Sequence, residues 1–243
     1  MYRVERRRRA RALALAIALS ALPATLHAQA ASCRVPRAVP APRLETTPPG
    51  GVRRSATDGY LLALSWSPEY CHANSARPDA AFQCGDGARF GFVLHGLWPV
   101  SDGAAAPQYC APAERVPEAV IRETLCASPS AQLIQHEWTR HGTCVTARPG
   151  SYFRAARGLY AAVRYPDMAA LSARRGVTAG ALRQALAARN PGIGPTAIAI
   201  DTNARGWLEE VRICLDRRFR PRACPAASRG IADRAVIRIA LPR

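Results

Sequence analysis

The hydrophobic and polar positions of this chain follow two periods. Runs of apolar and β-branched residues predict β-strands at residues 60–66, 90–95, 197–201, 209–215 and 235–241. Apolar residues at helical spacing predict α-helices at residues 117–126, 129–141, 151–164 and 178–189. Because the helices fall mostly in the middle of the chain and the strands at both ends, the pattern predicts an α+β fold in which helices flank a central antiparallel sheet.

The helix predicted at residues 129–141 has boundary signals at both ends. Ser128 is the expected N-cap and Pro129 the expected first helical residue. Gly142 follows the last residue of the pattern and is expected to end the helix.

The N-terminal part of the chain differs from the rest in composition. Residues 1–30 have an Arg-rich start, an apolar run at 12–22 and the pattern Ala-Gln-Ala at 28–30, which together are typical of a secretory signal peptide and its cleavage site. The apolar run is shorter than the roughly 20 residues that span a bilayer. The sequence therefore predicts an exported protein, periplasmic or extracellular, with no stable insertion in a membrane.

The remaining residues divide into two parts. Residues 31–57 are rich in Pro and Arg and poor in apolar side chains. Such a segment buries too little surface to offset the entropy of ordering it, so we expect a flexible leader that is tethered at most through Cys33. Residues 58–243 have the usual size of one domain, and we expect a single domain stabilised by disulfides.

The net charge of the chain indicates which kind of molecule it is expected to bind. The formal net charge is +17, and removal of the six Arg and one Glu in residues 1–30 leaves 28 basic and 16 acidic side chains, a net charge of +12. This excess favours polyanionic partners such as nucleic acid or an anionic membrane surface. A chain that contains no lysine also fits a bias in genome composition.

The eight cysteines all lie after the predicted cleavage point. An even count in an exported chain predicts four disulfides, although the count does not choose among the possible pairings. No Cys-x-x-Cys pair occurs, which argues against a zinc knuckle and against a thioredoxin-like redox site.

Three of the five histidines stand in two compact clusters, "FVLHGLWP" at 92–99 and "HEWTRHGTC" at 136–144. On a helix, the second cluster places polar side chains within about 140° of one face. That face carries His136, Glu137, Arg140 and His141. A metal-binding helix needs two histidines four residues apart, whereas His136 and His141 are five apart and diverge, so no metal site is predicted.

The first cluster supplies a second imidazole. His95 ends a predicted strand and is expected to project from the strand end into a cleft. A disulfide between Cys110 and Cys144 would hold this segment beside His141. Two imidazoles that face one pocket serve as acid and base near neutral pH.

Both clusters resemble the active-site segments of the ribonuclease T2 family of secreted endoribonucleases. "YLLALSWSPEYC" at 60–71 and "WLEEVRICLDRRFRPRACP" at 207–225 are similar to the first strand and the C-terminal strand pair of that family. The resemblance spans about residues 60–225, and the sequence "LALSW" is similar to that of the bacterial members.

The resemblance implies a role for each residue of the two clusters. His95 and His141 form the acid and base pair, His136 binds phosphate, and Glu137 and Arg140 stabilise the transition state. The family usually has Lys where this chain has Arg140, which keeps the charge but changes its reach. Trp98 is a candidate for stacking a base or, alternatively, a packed core residue, and Tyr109 is a weaker candidate for lining the base site.

The same resemblance implies the disulfides and the reaction. Cys71 pairs with Cys84, Cys110 with Cys144 and Cys214 with Cys224, which leaves Cys33 for Cys126. One imidazole removes the proton of the ribose 2′-OH and the other protonates the departing 5′-oxygen, which gives a 2′,3′-cyclic phosphate and then a 3′-phosphate. The order of the two histidines stays open.

Single-stranded RNA is therefore the expected substrate, and DNA is excluded because it lacks the 2′-OH. The protein is expected to be a monomer that uses no cofactor and no metal. A bell-shaped pH profile below neutrality is predicted, since Glu137 keeps nearby imidazoles charged. The alternatives are a metal-dependent exported hydrolase and a catalytically silent basic protein that binds RNA or another polyanion.

Overall fold

The computed structural model describes residues 32–85 and 89–241, so the predicted signal peptide lies outside the described residues. Within them the chain forms seven α-helices and four β-strands. The helices are α1 (Ser67–Asn74), α2 (Ala81–Cys84), α3 (Glu118–Thr124), α4 (Ala131–Arg140), α5 (Pro149–Ala162), α6 (Met168–Ser172) and α7 (Ala179–Arg189). The strands are β1 (Gly59–Trp66), β2 (Phe92–Val100), β3 (Ile198–Thr202) and β4 (Leu208–Asp216).

The four strands form one antiparallel sheet in the order β2-β1-β4-β3. This architecture confirms the predicted α+β class. β1 lies inside the sheet, and its residues from Leu61 to Leu64 are at most 5% exposed. A strand that is buried on both faces needs a continuous apolar run instead of alternation, and "LLAL" supplies one.

The two faces of β1 pack against different parts of the chain. Leu62, Leu64 and Trp66 belong to the main core, which the helices complete. Leu61 packs on the other face, in a small cluster that includes the disulfide between Cys214 and Cys224. Both faces of β1 are therefore covered, and backbone pairing along one of its edges positions β2.

Helix α5 holds β2 through two buried tyrosines. The hydroxyl of Tyr152 donates to the carbonyl oxygen of Leu97 and accepts from its N–H, at 3.1 and 3.2 Å. Two helical turns further on, the hydroxyl of Tyr160 donates to the carbonyl oxygen of Phe92 at 2.9 Å. These contacts lie on either side of His95, so α5 fixes the stretch of strand that carries this histidine.

Four of the five strand predictions are confirmed in position. The prediction at 90–95 was too short, because β2 continues through Pro99 to Val100. The strand predicted at residues 235–241 is wrong. Its alternation is real, since Ile237 and Ile239 are buried while Val236 is 63% exposed, but isolated bridges rather than a ladder connect this segment to its neighbours.

The four predicted helices occur as α3, α4, α5 and α7, but the predicted start of α4 is wrong. Ser130 is the N-cap, and its Oγ accepts the N–H of Leu133 at 3.2 Å. Ser128 is buried, and its N–H donates to the carbonyl oxygen of Thr124, so Ser128 belongs to the turn that follows α3. Pro129 lies between this turn and α4. Helices α1, α2 and α6 were not predicted, because their short sequences show no clear helical spacing of apolar residues.

The segment from residue 32 to residue 57 contains no helix or strand, yet it is attached at more points than Cys33. Cys33 is bonded to Cys126, and Arg122 donates to the carbonyl oxygens of two residues in the segment, at 3.2 and 3.0 Å. Further along, Arg53 and Gln108 exchange backbone hydrogen bonds. The expectation of at most one tether was therefore wrong, since polar contacts and the packing of Val35 and Val39 against the core also attach the segment.

All four expected disulfides are present in the structure: Cys33–Cys126, Cys71–Cys84, Cys110–Cys144 and Cys214–Cys224. No helix in the described part of the chain combines the length and the apolarity that a membrane span requires.

We predict that Tyr152→Phe destabilises the fold by about 1 to 3 kcal/mol, because it leaves the N–H and the carbonyl of Leu97 without a partner in a buried position. Urea unfolding of the variant measures this loss. Tyr70→Phe is the control, since Tyr70 is 39% exposed. Equal stability of the two variants would contradict the role assigned to Tyr152.

Candidate active site

A β-bulge in β2 positions His95. Across the ladder, Ala63 pairs with Gly96 and Leu64 pairs with Leu94, so His95 is the extra residue between them. A bulge of this kind redirects the side chain of the inserted residue and is frequent beside active sites. His95 therefore lies within the strand, and the expectation that it projects from the strand end was wrong.

The imidazole of His95 is held from the sheet. Its Nδ1 lies 2.7 Å from Oε2 of Glu210 on β4 and 3.3 Å from Oγ of Ser65 on β1. Glu210 is itself 3.7 Å from Arg212, which forms an ion pair with Asp201. Nδ1 is thus engaged by the sheet, whereas Nε2 lies 3.7 Å from Oε1 of Glu137 on α4.

Helix α4 and its C-terminal end supply the second half of the site. Glu137 is only 2% exposed, and Trp138 packs behind it in the core. The helix ends at Arg140, and His141 is the C-cap, whose N–H donates to the carbonyl oxygen of Glu137. Beyond it the chain continues as a 3-10 turn from Gly142 to Cys144 instead of stopping at Gly142.

Trp98 connects the two halves. Its Nε1–H donates to Oε2 of Glu137 at 2.7 Å. The centroid of its ring lies 5.0 Å from that of His95 and 5.5 Å from that of His141. Both imidazoles therefore lie against one indole, which brings the two sequence clusters together at a single site.

The glycines of the two clusters permit close packing. A Cβ at Gly96 would overlap the Oε2 atom of Glu137 and press on Nε1 of Trp98. A Cβ at Gly142 would overlap the ring of Trp138. Gly142 is thus required for packing and does not adopt the left-handed conformation that ends many helices.

The protein environment separates the pKa values of the ionisable groups. Burial raises the pKa of Glu137 to about 7, although His95 and the hydrogen bond from Trp98 act in the opposite direction. Burial alone would lower the pKa of His95, but Glu210 and Glu137 reverse this and raise it above its ordinary value. Burial, together with the cations around it, lowers the pKa of His141 to about 3.

These shifts give the two imidazoles opposite protonation states in mildly acidic solution. His95 is protonated there, because its Nδ1 lies 2.7 Å from the carboxylate of Glu210. His141 is neutral, because Arg140, His136 and the buried surroundings oppose a further positive charge. One site thus presents a proton donor beside a proton acceptor.

The remaining predicted site residues surround this pair. The Nδ1 of His136 lies 2.8 Å from Oε2 of Glu45. The Nε–H of Arg140 donates to Oε1 of Gln108 at 3.2 Å. The two terminal nitrogens of its guanidinium are not part of this hydrogen bond. Tyr109 is only 8% exposed and its N–H donates to the carbonyl oxygen of Arg140, so little of its ring is accessible to a base. A base-binding role for Tyr109 or for Trp98 stays a prediction.

The Cys110–Cys144 disulfide lies next to the site. Its Cα atoms lie 4.9 Å apart, and it joins the segment of Tyr109 to the turn that follows His141. Among the described residues, no group of three or more metal-ligating side chains converges.

Sequence reasoning missed Glu210 and Glu45. In β4, Glu210 and Arg212 are charged residues that alternate with the buried Val211 and Ile213, so a carboxylate on a central strand was a visible signal. Glu45 lies in the Pro-rich segment, and nothing in its local pattern connects it to His136.

The sequence profile of the Ribonuclease T2 family matches residues 57–224. The chain therefore belongs to the ribonuclease T2 family. It is 33% identical over 125 residues to a "Probable ribonuclease" of Haemophilus influenzae, covering 47% of this chain and 46% of that protein. It is 45% identical over 87 residues to a "Ribonuclease" of Aeromonas hydrophila, covering 36% of this chain and 37% of that protein. The matched regions thus span less than half of either relative.

A solved structure has the same fold. "RNase NT in complex with 5'-AMP" superposes with a TM-score of 0.57 and 22% sequence identity, over 78% of this chain and 100% of that chain. At this level of identity the likeness supports the fold, and the chemistry depends on the site residues described above.

We predict that Gly96→Ala separates Trp98 from Glu137, because the added methyl group has no space beside the carboxylate. The variant should show altered indole fluorescence and a lower melting temperature.

Gly158→Ala is the matched control, since nothing lies within 4 Å of a Cβ at that position in α5. This control should gain stability, by about 0.5 to 1 kcal/mol, as expected in a helix interior. Unchanged fluorescence and stability in Gly96→Ala would contradict the close approach.

Proposed function

We propose that this protein is an endoribonuclease that cleaves single-stranded RNA without a metal ion, by attack of the ribose 2′-OH on the adjacent phosphorus. The observation that carries the proposal is the pair of imidazoles that both lie against Trp98 and whose pKa values are shifted in opposite directions. Transesterification at phosphorus needs a base for the 2′-OH and an acid for the 5′-oxygen. The site supplies both in one range of pH.

The directions of the pKa shifts support an assignment of the two roles. His141 is neutral above about pH 3 and is the proposed base that accepts the 2′-OH proton. His95 holds its proton more strongly than an ordinary histidine and is the proposed acid that protonates the departing 5′-oxygen. The product is a 2′,3′-cyclic phosphate, and reversal of the roles with water as the nucleophile gives a 3′-phosphate.

The groups around the pair would stabilise charge on the phosphoryl oxygens. His136 and Arg140 are the proposed donors, because both lie on the face of α4 that carries Glu137 and His141. Glu137 is largely neutral below pH 7, which removes a negative charge that would repel the phosphate. Repulsion between Glu137 and the phosphate is therefore weakest in acidic solution.

The substrate and compartment follow from the same proposal. RNA is the proposed partner because the nucleophile is the 2′-OH, and DNA is expected to be inert. The net charge of +12 that remains after removal of residues 1–30 favours binding of any polyanion. We also propose that residues 58–243 form the catalytic domain of an exported monomer, since four disulfides indicate an oxidising compartment.

We predict that His95→Ala and His141→Ala each lower cleavage of a defined oligoribonucleotide by roughly 100-fold to 10,000-fold, as expected when a general acid or base is removed. Cleavage by the wild type should continue in excess EDTA, and mass spectrometry should find cyclic phosphate ends.

Both variants should keep their affinity for RNA, measured by filter binding at fixed salt. RNA binding without cleavage by the wild type would favour a protein that binds RNA and does not cleave it. Wild-type activity in the two variants would contradict the roles assigned to His95 and His141. Loss of activity in EDTA, restored by a divalent ion, would favour a metal-dependent hydrolase.

The pH profile of cleavage should have a rising limb on the acid side of 6.5, set by His141, and a falling limb on the alkaline side, set by His95. Removal of the Glu210 charge lowers the pKa of His95, so Glu210→Gln should move the falling limb to lower pH. Glu209→Gln is the control on the same strand, because Glu209 is not among the groups that shift the pKa of His95. An unmoved limb in Glu210→Gln would show that His95 is not the proton donor.

A further inference from the structure

A stretch of chain outside the family match reaches the active site. The family profile begins at residue 57, whereas Glu45 precedes it and contacts His136 on α4. We call residues 43–55 the strap, because this stretch crosses α4 and then runs beside residues 105–110. The strap therefore contacts a histidine that is proposed to bind phosphate.

The carboxylate of Glu45 is held at both oxygens. Oε2 lies 2.8 Å from Nδ1 of His136, and Oε1 accepts from Nε2 of Gln132 at 2.9 Å. Gln132 and His136 are one turn apart on α4, so the carboxylate spans one helical turn. Gln132 also exchanges hydrogen bonds with the backbone N–H and carbonyl of Arg43, at 2.9 and 3.3 Å.

The strap is fixed on both sides of Glu45. Towards the N-terminus, the Cys33–Cys126 disulfide ties the preceding residues to the end of α3. Towards the C-terminus, Arg53 and Gln108 form an antiparallel bridge, and Ser55 donates to the carbonyl oxygen of Ala105 at 2.5 Å. A side chain anchored in this way loses less entropy in its contact than the partner of an ordinary surface ion pair, which contributes little.

A carboxylate that accepts from one ring nitrogen of a histidine sets the orientation of the other nitrogen. In His136, Nδ1–H donates to Glu45. In the ring that carries both protons, Nε2–H is then the donor available to a phosphoryl oxygen. The two partners occupy different ring atoms and do not compete. Both side chains are part-buried, at 33% exposed for His136 and 26% for Glu45, which limits screening of their interaction by solvent.

We propose that Glu45 is a positioning residue for His136, so that the strap, although outside the family match, is a working part of the active site. The proposal rests on the function proposed above, in which His136 binds the scissile phosphate. Glu45 contacts no reacting atom. It fixes the ring of His136 so that Nε2 faces the substrate.

A double-mutant cycle tests this inference. Glu45→Ala should lower kcat/KM for a dinucleotide roughly tenfold, as expected for loss of a hydrogen bond to a charged group. In a His136→Ala background the same substitution should have no further effect. Glu45→Gln should recover part of the activity, because the amide oxygen still accepts from Nδ1.

Arg122→Ala is the matched control, because it removes contacts that attach the N-terminal segment without touching Glu45 or His136. Arg122 donates to the carbonyl oxygens of Pro36 and Arg37, upstream of the strap, and lies outside the site. Its kcat/KM should stay within twofold of the wild type. Wild-type activity in Glu45→Ala, or an equal loss in the presence and absence of His136, would overturn the inference.

A second measurement separates this inference from the proposed function. Nitrogen-15 NMR of the histidine rings in the RNA-free protein should show a hydrogen-bonded Nδ1–H at His136 in the wild type and its loss in Glu45→Ala. If the wild type fails to cleave RNA, the proposed function fails, while this signal still decides whether Glu45 orients the ring. An unchanged His136 signal in Glu45→Ala would overturn the positioning role whatever the activity.

Discussion

The hydrogen bond from Trp98 to the buried carboxylate of Glu137 is the contact on which the site depends. It joins an edge strand to a helix that is distant in sequence, and it requires Gly96 because any side chain there would occupy the space of the carboxylate. A buried carboxylate is costly unless it has partners. The tryptophan N–H is one partner, and His95 at 3.7 Å is another. The same contact therefore assembles the site and sets its charge.

Around this contact the fold distributes charge unevenly. His95 faces carboxylates from both the sheet and the helix, whereas His141 faces Arg140 and His136 and is largely buried. Two chemically identical side chains thus acquire opposite tendencies to hold a proton. The β-bulge at His95 and the tyrosine contacts from α5 matter because they keep β2 in the register that produces this difference.

The sequence predicted the parts of the fold that short-range patterns encode. The α4 face could be read from helical spacing, and β1 could be read from its apolar run. The bulge at His95 was hidden, because it depends on the register with Ala63 and Leu64 in another strand. Glu210 was visible as a charged residue within a strand, but its pairing with His95 was not, because the two residues are 115 positions apart. Glu45 was missed because it is 91 positions from His136 and its local pattern gives no signal. The segment at 235–241 alternates like a strand, but backbone pairing rather than side-chain burial defines a strand.

The central claim is that the protein gives His95 and His141 pKa values on opposite sides of the ordinary histidine value. An NMR titration of the histidine ring protons in the oxidised protein, with signals assigned by His95→Ala and His141→Ala, measures both directly. We expect His95 to titrate above 6.5 and His141 well below it. Two histidines that titrate together near 6.5, or in the reverse order, would contradict the account.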